Sequence, residues 1–162
     1  MTRSTLATAG LLVAALSLAG DPAQAAMSPF RALAGSWTGG GTISLADGNQ
    51  ERLRCRASYD VDGSGSALRL KLRCASDSYT FDLASEVDYR DGAISGQWSE
   101  AGRNASGTIE GRADGDHIEA AAKGPTFSAS LSPTTHGNRQ TVSIRPQQGT
   151  DISEVSLALS RR

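Results

Sequence analysis

Apolar and polar residues alternate with a period of two through most of this 162-residue sequence, and turn-forming pairs interrupt the alternation at short intervals. Such alternation is typical of β-strands that bury one face. Asp47-Gly48, Asp91-Gly92 and Asp114-Gly115 are hairpin signals, because a glycine after aspartate readily adopts the positive φ of a tight turn. Helical periodicity is nearly absent, so the pattern predicts an all-β chain.

The turns divide the chain into short segments of similar length. We place strands near 36–45, 51–61, 67–75, 78–89, 92–99, 105–112, 116–122, 126–131, 139–145 and 153–160. The connections are too short for long crossovers, and closure removes the exposed edges of an open meander. The sequence therefore predicts a single up-and-down antiparallel β-barrel of eight to ten strands, with a sandwich or flattened barrel as the alternative.

The first 25 residues have the composition of a secretory signal peptide. Arg3 supplies the positive start, residues 6–19 are apolar, and Ala23-Gln24-Ala25 is an A-x-A cleavage signal. The apolar run is shorter than the roughly 20 residues that a transmembrane helix requires. We expect a signal peptide over 1–25, cleavage near Ala25, one barrel domain over 26–162, and a periplasmic location, with full secretion as the alternative.

Cys55 and Cys74 are the two cysteines of the sequence. In an oxidising compartment two cysteines are expected to form a disulfide. A hairpin centred on Ser64 and Gly65 places them opposite each other, so the disulfide would join neighbouring strands. The same register pairs apolar residues on one face: Ala57 with Leu72, Tyr59 with Leu70 and Val61 with Leu68.

The other face of this hairpin carries a basic surface patch. Its six members are Arg52, Arg54, Arg56, Arg69, Lys71 and Arg73. Like charges on adjacent strands repel each other unless acidic groups or an anionic partner offset them. Two interpretations remain open: pairing with Asp82, Glu86 and Asp88 on the next strand, or contact with an anionic envelope component or an acidic protein.

The sequence lacks the patterns that carry catalysis. It contains no G-x-S-x-G motif, no phosphate-binding glycine loop, and no partner at metal-ligand spacing for His117 or His136. The net charge of −1 provides no strong field for nucleic acid. We therefore expect no enzymatic activity, no catalytic residues, and no cofactor, metal or nucleic-acid partner. We also expect the protein to be a monomer.

A Gly35-x-Trp37 motif opens the first predicted strand, after a segment over 28–34 that can form one helical turn. This pattern resembles the lipocalins and the wider calycin group, in which such a tryptophan closes one end of the barrel under a basic side chain from the last strand. The resemblance implies an end-plug of Gly35, Trp37 and Arg161, with Arg139 as the second choice of cation. Ten strands would be closer to fatty-acid-binding and nitrobindin-like barrels, and a nitrobindin-like haem site would need a suitably placed histidine.

The chain also resembles the periplasmic inhibitors of serralysin-type metalloproteases. The matching positions are Gly35, Trp37, Cys55 and Cys74. The resemblance implies that residues 26–33 insert into a protease, although this chain runs several strands beyond what such an inhibitor needs.

Two functional hypotheses follow. In the first, the barrel binds a small apolar or amphipathic ligand, or serves in the cell envelope, and Trp37, Tyr59, Phe81 and Trp98 lie along its pocket wall. In the second, the protein is a protein-binding module such as a protease inhibitor, with a packed interior and an exposed, mobile N-terminal segment.

Overall fold

The computed structural model describes residues 27–162, which contain one short 3-10 helix and ten β-strands. The predicted signal peptide and its cleavage site lie outside the described residues. The helix η1 spans Pro29–Ala32. The strands are β1 (Gly35–Leu45), β2 (Gln50–Val61), β3 (Ala67–Ala75), β4 (Thr80–Arg90), β5 (Ala93–Glu100), β6 (Ala105–Asp114), β7 (His117–Lys123), β8 (Ser128–His136), β9 (Arg139–Gln148) and β10 (Ile152–Arg161).

The strands form one closed antiparallel barrel. Each strand pairs with its neighbours in sequence, and β1 pairs with β10 to close the sheet. The predicted up-and-down barrel is confirmed, with ten strands. Within residues 27–162, no helix is long and apolar enough to cross a membrane.

The largest difference from the predicted strand boundaries is at β8. The sequence predicts this strand near 126–131 and a turn at His136-Gly137-Asn138. In the structure β8 continues to His136, and Pro133 lies opposite Val142. Pairing with β9 extends the strand through the proline up to the predicted turn.

The β2–β3 hairpin has the predicted register. Cys55 lies opposite Cys74, and the two form a disulfide. Tyr59 lies opposite Leu70 and Val61 opposite Leu68. The disulfide therefore joins two adjacent strands from the inner, buried side of the barrel wall.

Two glycines of β1 allow an unusually close approach of β10. A methyl group on Gly39 would overlap the carbonyl oxygen of Ala158, and one on Gly41 would overlap that of Ser156. The run of three glycines after Trp37 therefore lets the first and last strands meet and close the barrel.

Antiparallel order places alternate loops at opposite ends of the barrel. The loops 46–49, 76–79, 101–104, 124–127 and 149–151 lie at one end, which we call the mouth. The turns between the other strand pairs and helix η1 lie at the opposite end, which we call the floor.

Helix η1 closes the floor. Phe30 and Leu33 are only 1% and 4% exposed and pack inside the barrel end. Arg31 anchors the helix to the β2–β3 turn, since its Nη2 donates to the carbonyl oxygens of Gly63 and Ser64 at 3.2 and 2.7 Å. This packing is at odds with the exposed, mobile N-terminal segment that the inhibitor hypothesis requires.

Candidate functional site

The barrel contains a cavity of about 410 Å³. Pockets for small ligands commonly have volumes of about 300–1,000 Å³. The wall is formed by inward-facing side chains of β2 to β10, together with two side chains of the floor. Most of these are aliphatic or aromatic, including Leu53, Leu72, Val87, Ile109, Leu131, Val142 and Leu157. The cavity can therefore hold an apolar group in contact with a mostly apolar wall.

Small residues on β7 and β8 leave this space unfilled. Ala120, Ala122 and Ala129 all line the cavity. Larger aliphatic side chains at these positions would extend into it. The cavity also reaches exposed residues of the mouth loops, namely Arg103, Thr126, Gly149 and Thr150. It is thus closed at the floor and open to solvent at the mouth.

Three of the four predicted pocket residues line the cavity, and one does not. Tyr59, Phe81 and Trp98 are part of the wall. Trp37 is fully buried and lies outside the wall, contrary to the prediction. Its indole Nε1 donates to the carbonyl oxygen of Leu33 at 2.7 Å, which holds the ring against the segment that follows η1.

The predicted end-plug residues come together at the floor. The Arg161 guanidinium lies 4.7 Å from the centre of the Trp37 ring. Its Nη1 donates to the carbonyl oxygen of Ala34 at 2.8 Å, and its Nη2 donates to that of Ala32. Gly35 makes the turn into β1 with a φ of 118°. Arg161, rather than the alternative Arg139, is the cation over the tryptophan.

A neutral polar group lies at the floor end of the cavity. The Tyr59 hydroxyl donates to Gln140 Oε1 at 2.7 Å, and Gln140 Nε2 donates to Thr135 Oγ1 at 3.1 Å. Burial raises the pKa of Tyr59 to about 12, against the opposing effect of the hydrogen bond with Gln140. Tyr59 is therefore neutral at physiological pH. The sequence analysis did not identify Gln140. Its position in the alternation along β9 puts it on the inner face of the barrel, and this could have indicated that it is buried.

The mouth carries the two charged side chains of the cavity wall, Glu100 and Arg103. Glu100 is only 5% exposed, and it accepts hydrogen bonds from the backbone N–H groups of Asp82 at 3.0 Å and Arg103 at 2.7 Å. Arg103 Nη1 lies 3.5 Å from the Glu100 carboxylate, and its guanidinium lies 5.0 Å from the centre of the Phe81 ring. The sequence analysis identified neither residue. Glu100 lies two residues after Trp98 on β5, so the alternation places both side chains on the inner face of the barrel.

A tryptophan at the mouth has an unused hydrogen-bond donor. Trp98 is 8% exposed, and its Nε1 is buried without a partner among the described residues. The ring packs edge-on against Phe127, with ring centres 5.6 Å apart. A buried N–H without a hydrogen-bond partner is energetically unfavourable. A ligand with an acceptor atom at this position would therefore gain a hydrogen bond to Trp98.

Glu100 is expected to make stability depend on pH. Burial alone would raise its pKa, but hydrogen bonds from the backbone of Asp82, Arg103 and Gly102, with the charge of Arg103, outweigh burial and lower it. A lowered pKa stabilises the fold above the ordinary value of 4.5, and the effect is lost as pH falls through the lowered pKa. Glu100→Gln should therefore reduce the free energy of unfolding by about 1–3 kcal/mol at neutral pH.

Urea denaturation across a pH series checks this prediction. The difference between Glu100→Gln and the native protein should shrink as the pH falls below 4.5. A difference that stays constant down to strongly acidic pH would instead indicate a loss of packing unrelated to charge.

The basic patch is only partly neutralised. Arg69 pairs with Glu86 at 3.2 Å, and Arg73 pairs with Asp82 at 3.0 Å, as the first interpretation predicted. Asp88 lies opposite Ala67 instead of a cation. The other four members have no ion pair among residues 27–162: Arg52, Arg54, Arg56 and Lys71.

Neither histidine lines the cavity. His117 Nδ1 lies 2.7 Å from Thr134 Oγ1, and its Nε2 lies 3.1 Å from Glu119. His136 Nδ1 lies 2.6 Å from Asp116. The cavity wall therefore lacks the histidine that a nitrobindin-like haem site would need.

Comparison with solved structures shows what the barrel is similar to. Rv2717c from M. tuberculosis aligns with a TM-score of 0.65 and 16% identity, over 88% of this chain and 99% of that one. The S-type phycobiliprotein lyase CPES from Guillardia theta aligns with a TM-score of 0.60 and 11% identity, over 85% and 94%. Both are ten-strand β-barrels of the calycin type. No protein-family model and no curated protein matches the chain.

Proposed function

We propose that this protein is a non-enzymatic, exported barrel that binds a small apolar or amphipathic ligand in its cavity. The observation that most strongly supports this proposal is the apolar cavity of about 410 Å³, which is closed at the floor and open at the mouth. Transfer of apolar surface from water into such a site contributes about 25 cal/mol per Å². The shared barrel architecture supports the proposal at the level of fold only.

The polar groups of the wall favour one orientation of the ligand. Charge is confined to Glu100 and Arg103 at the mouth, and the unpaired donor of Trp98 lies toward the same end. The floor offers the neutral Tyr59–Gln140 pair. An amphipathic ligand would therefore place its apolar part within the barrel and its polar, hydrogen-bond-accepting part at the mouth.

The location is proposed from two features of the chain. Residues 1–25 have a signal-peptide composition, and the Cys55–Cys74 disulfide fits an oxidising compartment. We propose the bacterial periplasm, with a role in the cell envelope and secretion as the alternative. Barrel closure leaves no free strand edge among the described residues to recruit a partner, which favours a monomer.

The absence of enzymatic activity is proposed from the residues, because one structural neighbour is named a lyase and the fold alone excludes no chemistry. The acidic group of the cavity, Glu100, is already held by backbone N–H groups and Arg103. No histidine lies in the wall to act with it as an acid or base. The protein-binding alternative is less favoured, since η1 is packed and the interior holds a cavity.

A pair of matched substitutions on one strand tests ligand binding. Ala120 lines the cavity, and the next residue, Ala121, points outward. Ala120→Phe should fill the space and weaken binding of the fluorescent probe 1-anilinonaphthalene-8-sulfonate by about tenfold or more, whereas Ala121→Phe should leave it unchanged. The measurement is a fluorescence titration of both variants and the native protein.

Two outcomes would contradict the proposed function. The first is equal probe binding by Ala120→Phe and the native protein, which would place the probe elsewhere. The second is a failure of the native protein to bind the probe or any member of a series of fatty acids and fatty alcohols. Circular dichroism of each variant verifies that the barrel is folded.

A further inference from the structure

A shallow depression lies on the outer face of the barrel, across β1, β2 and β3 and the end of the chain. Four arginines line it: Arg54, Arg56, Arg73 and Arg162. We call it the arginine depression. It lies on the side of the wall opposite the cavity, because these side chains are exposed and alternate with buried, inward-facing neighbours.

The barrel register forces these cations together. Arg54 and Arg56 share the outer face of β2, and Arg56 lies directly opposite Arg73 on β3. Arg162 directly follows β10, and its Nε donates to Thr38 Oγ1 at 3.2 Å. Like charges on directly opposed positions destabilise a sheet. The sequence predicted the cluster on β2 and β3, but only barrel closure adds Arg162.

Acidic groups offset this charge at one of the four arginines only. Arg73 pairs with Asp82 at 3.0 Å. The other three arginines of the depression have no ion pair among residues 27–162. By contrast, Arg69, four residues before Arg73 on β3, pairs with Glu86 at 3.2 Å. The depression therefore holds an excess of positive charge that a bound anion would stabilise.

Small neighbours leave room for that anion. Thr38 lies opposite Arg56, Gly40 lies opposite Arg54 on one side, and Ala75 lies opposite Arg54 on the other. None of these side chains covers the guanidinium groups. The surface between the arginines is thus low, and their guanidinium groups are accessible from solvent.

We propose that the arginine depression binds a phosphoryl group. The planar guanidinium fork donates paired hydrogen bonds to phosphate oxygens, and several arginines together match the multiple negative charge of a phosphomonoester or pyrophosphate. The phosphoryl group can belong to a soluble compound or to a lipid headgroup. This site is separate from the cavity, so the two can be occupied together.

The test removes two cations of the depression and compares a matched control. Arg54→Gln with Arg56→Gln should weaken binding of inorganic pyrophosphate, measured by isothermal titration calorimetry at low salt, by about tenfold or more. The control, Arg112→Gln with Arg139→Gln, removes two cations that have no ion pair among residues 27–162 from the outer faces of β6 and β9, and it should change the affinity by less than about twofold. Removing opposed like charges should leave the melting temperature unchanged or raised.

Vesicle binding, compared with pyrophosphate binding, distinguishes a lipid headgroup from a soluble compound as the source of the phosphoryl group. Vesicles containing phosphatidylglycerol, but not pure phosphatidylcholine, should sediment the native protein and not the Arg54/Arg56 variant if the source is a lipid. Pyrophosphate binding without vesicle binding would assign a soluble phosphate compound. Equal loss in the variant and the control, or no binding of either probe by the native protein, would overturn the proposal. Probe binding in the cavity is unaffected by these substitutions and reports on the proposed function separately.

Discussion

Replacing Trp37 with alanine should lower the free energy of unfolding by about 3–5 kcal/mol, because large-to-small substitution of a buried aromatic side chain leaves a cavity. Trp37 is fully buried, packs edge-on against Tyr59 with ring centres 6.3 Å apart, and lies under the Arg161 guanidinium. Its loss also removes the hydrogen bond to Leu33 that ties the segment after η1 to β1. Urea denaturation followed by far-UV circular dichroism measures the change.

Trp37→Phe is the matched control for this prediction. It keeps an aromatic ring below Arg161 but removes the indole N–H, so it should cost clearly less than the alanine substitution. A loss of under about 1 kcal/mol for Trp37→Ala would show that the residue does not hold the floor together.

Removing the disulfide should have an effect of similar size. The bond links residues separated by 19 positions, and a loop of this length corresponds to about 3 kcal/mol in the chain-entropy model. Cys55→Ala with Cys74→Ala should therefore lower the free energy of unfolding by about 3 kcal/mol. The loss adds to the burial lost at two core positions, so the double variant should unfold at clearly lower urea concentration.

Reduction of the native protein provides the control for the disulfide. Treatment with dithiothreitol opens the same loop without changing any side chain other than the two cysteines. It should reproduce most of the effect of the double variant. If the reduced protein were as stable as the oxidised one, the bond would be dispensable for the barrel, and the argument for an oxidising compartment would weaken.

The local pattern of the sequence was sufficient to predict the barrel. Period-two alternation and the Asp-Gly pairs are properties of neighbouring residues, so they indicate strands and turns without knowledge of the fold. The Cys55–Cys74 pairing followed from the same alternation, because both residues lie on the inward face of one hairpin. At β8 this local reasoning failed, since pairing with β9 carries the strand through Pro133.

The site was less accessible from the sequence, because it depends on contacts between distant strands. The resemblance implied the contact between Arg161 and Trp37, but the alternation along β1 did not show that the Trp37 ring packs against the segment after η1 instead of lining the pocket. Gln140 and Glu100 were missed, since a single polar residue in an inward phase indicates burial without revealing its partner. The small inward-facing residues on β7 and β8 follow from the alternation of the sequence, but the diameter of ten strands, which also sets the cavity, does not.

Native mass spectrometry of the protein purified from cells that produce it can detect a ligand retained in the cavity. If the cavity binds a small apolar or amphipathic ligand, the native protein and Ala121→Phe should carry a bound small molecule, and Ala120→Phe should not. Ligand binding in the cavity would be contradicted if the native protein carried no small molecule and took none up from a lipid extract of the same cells. It would also be contradicted if Ala120→Phe carried the same bound molecule as the native protein.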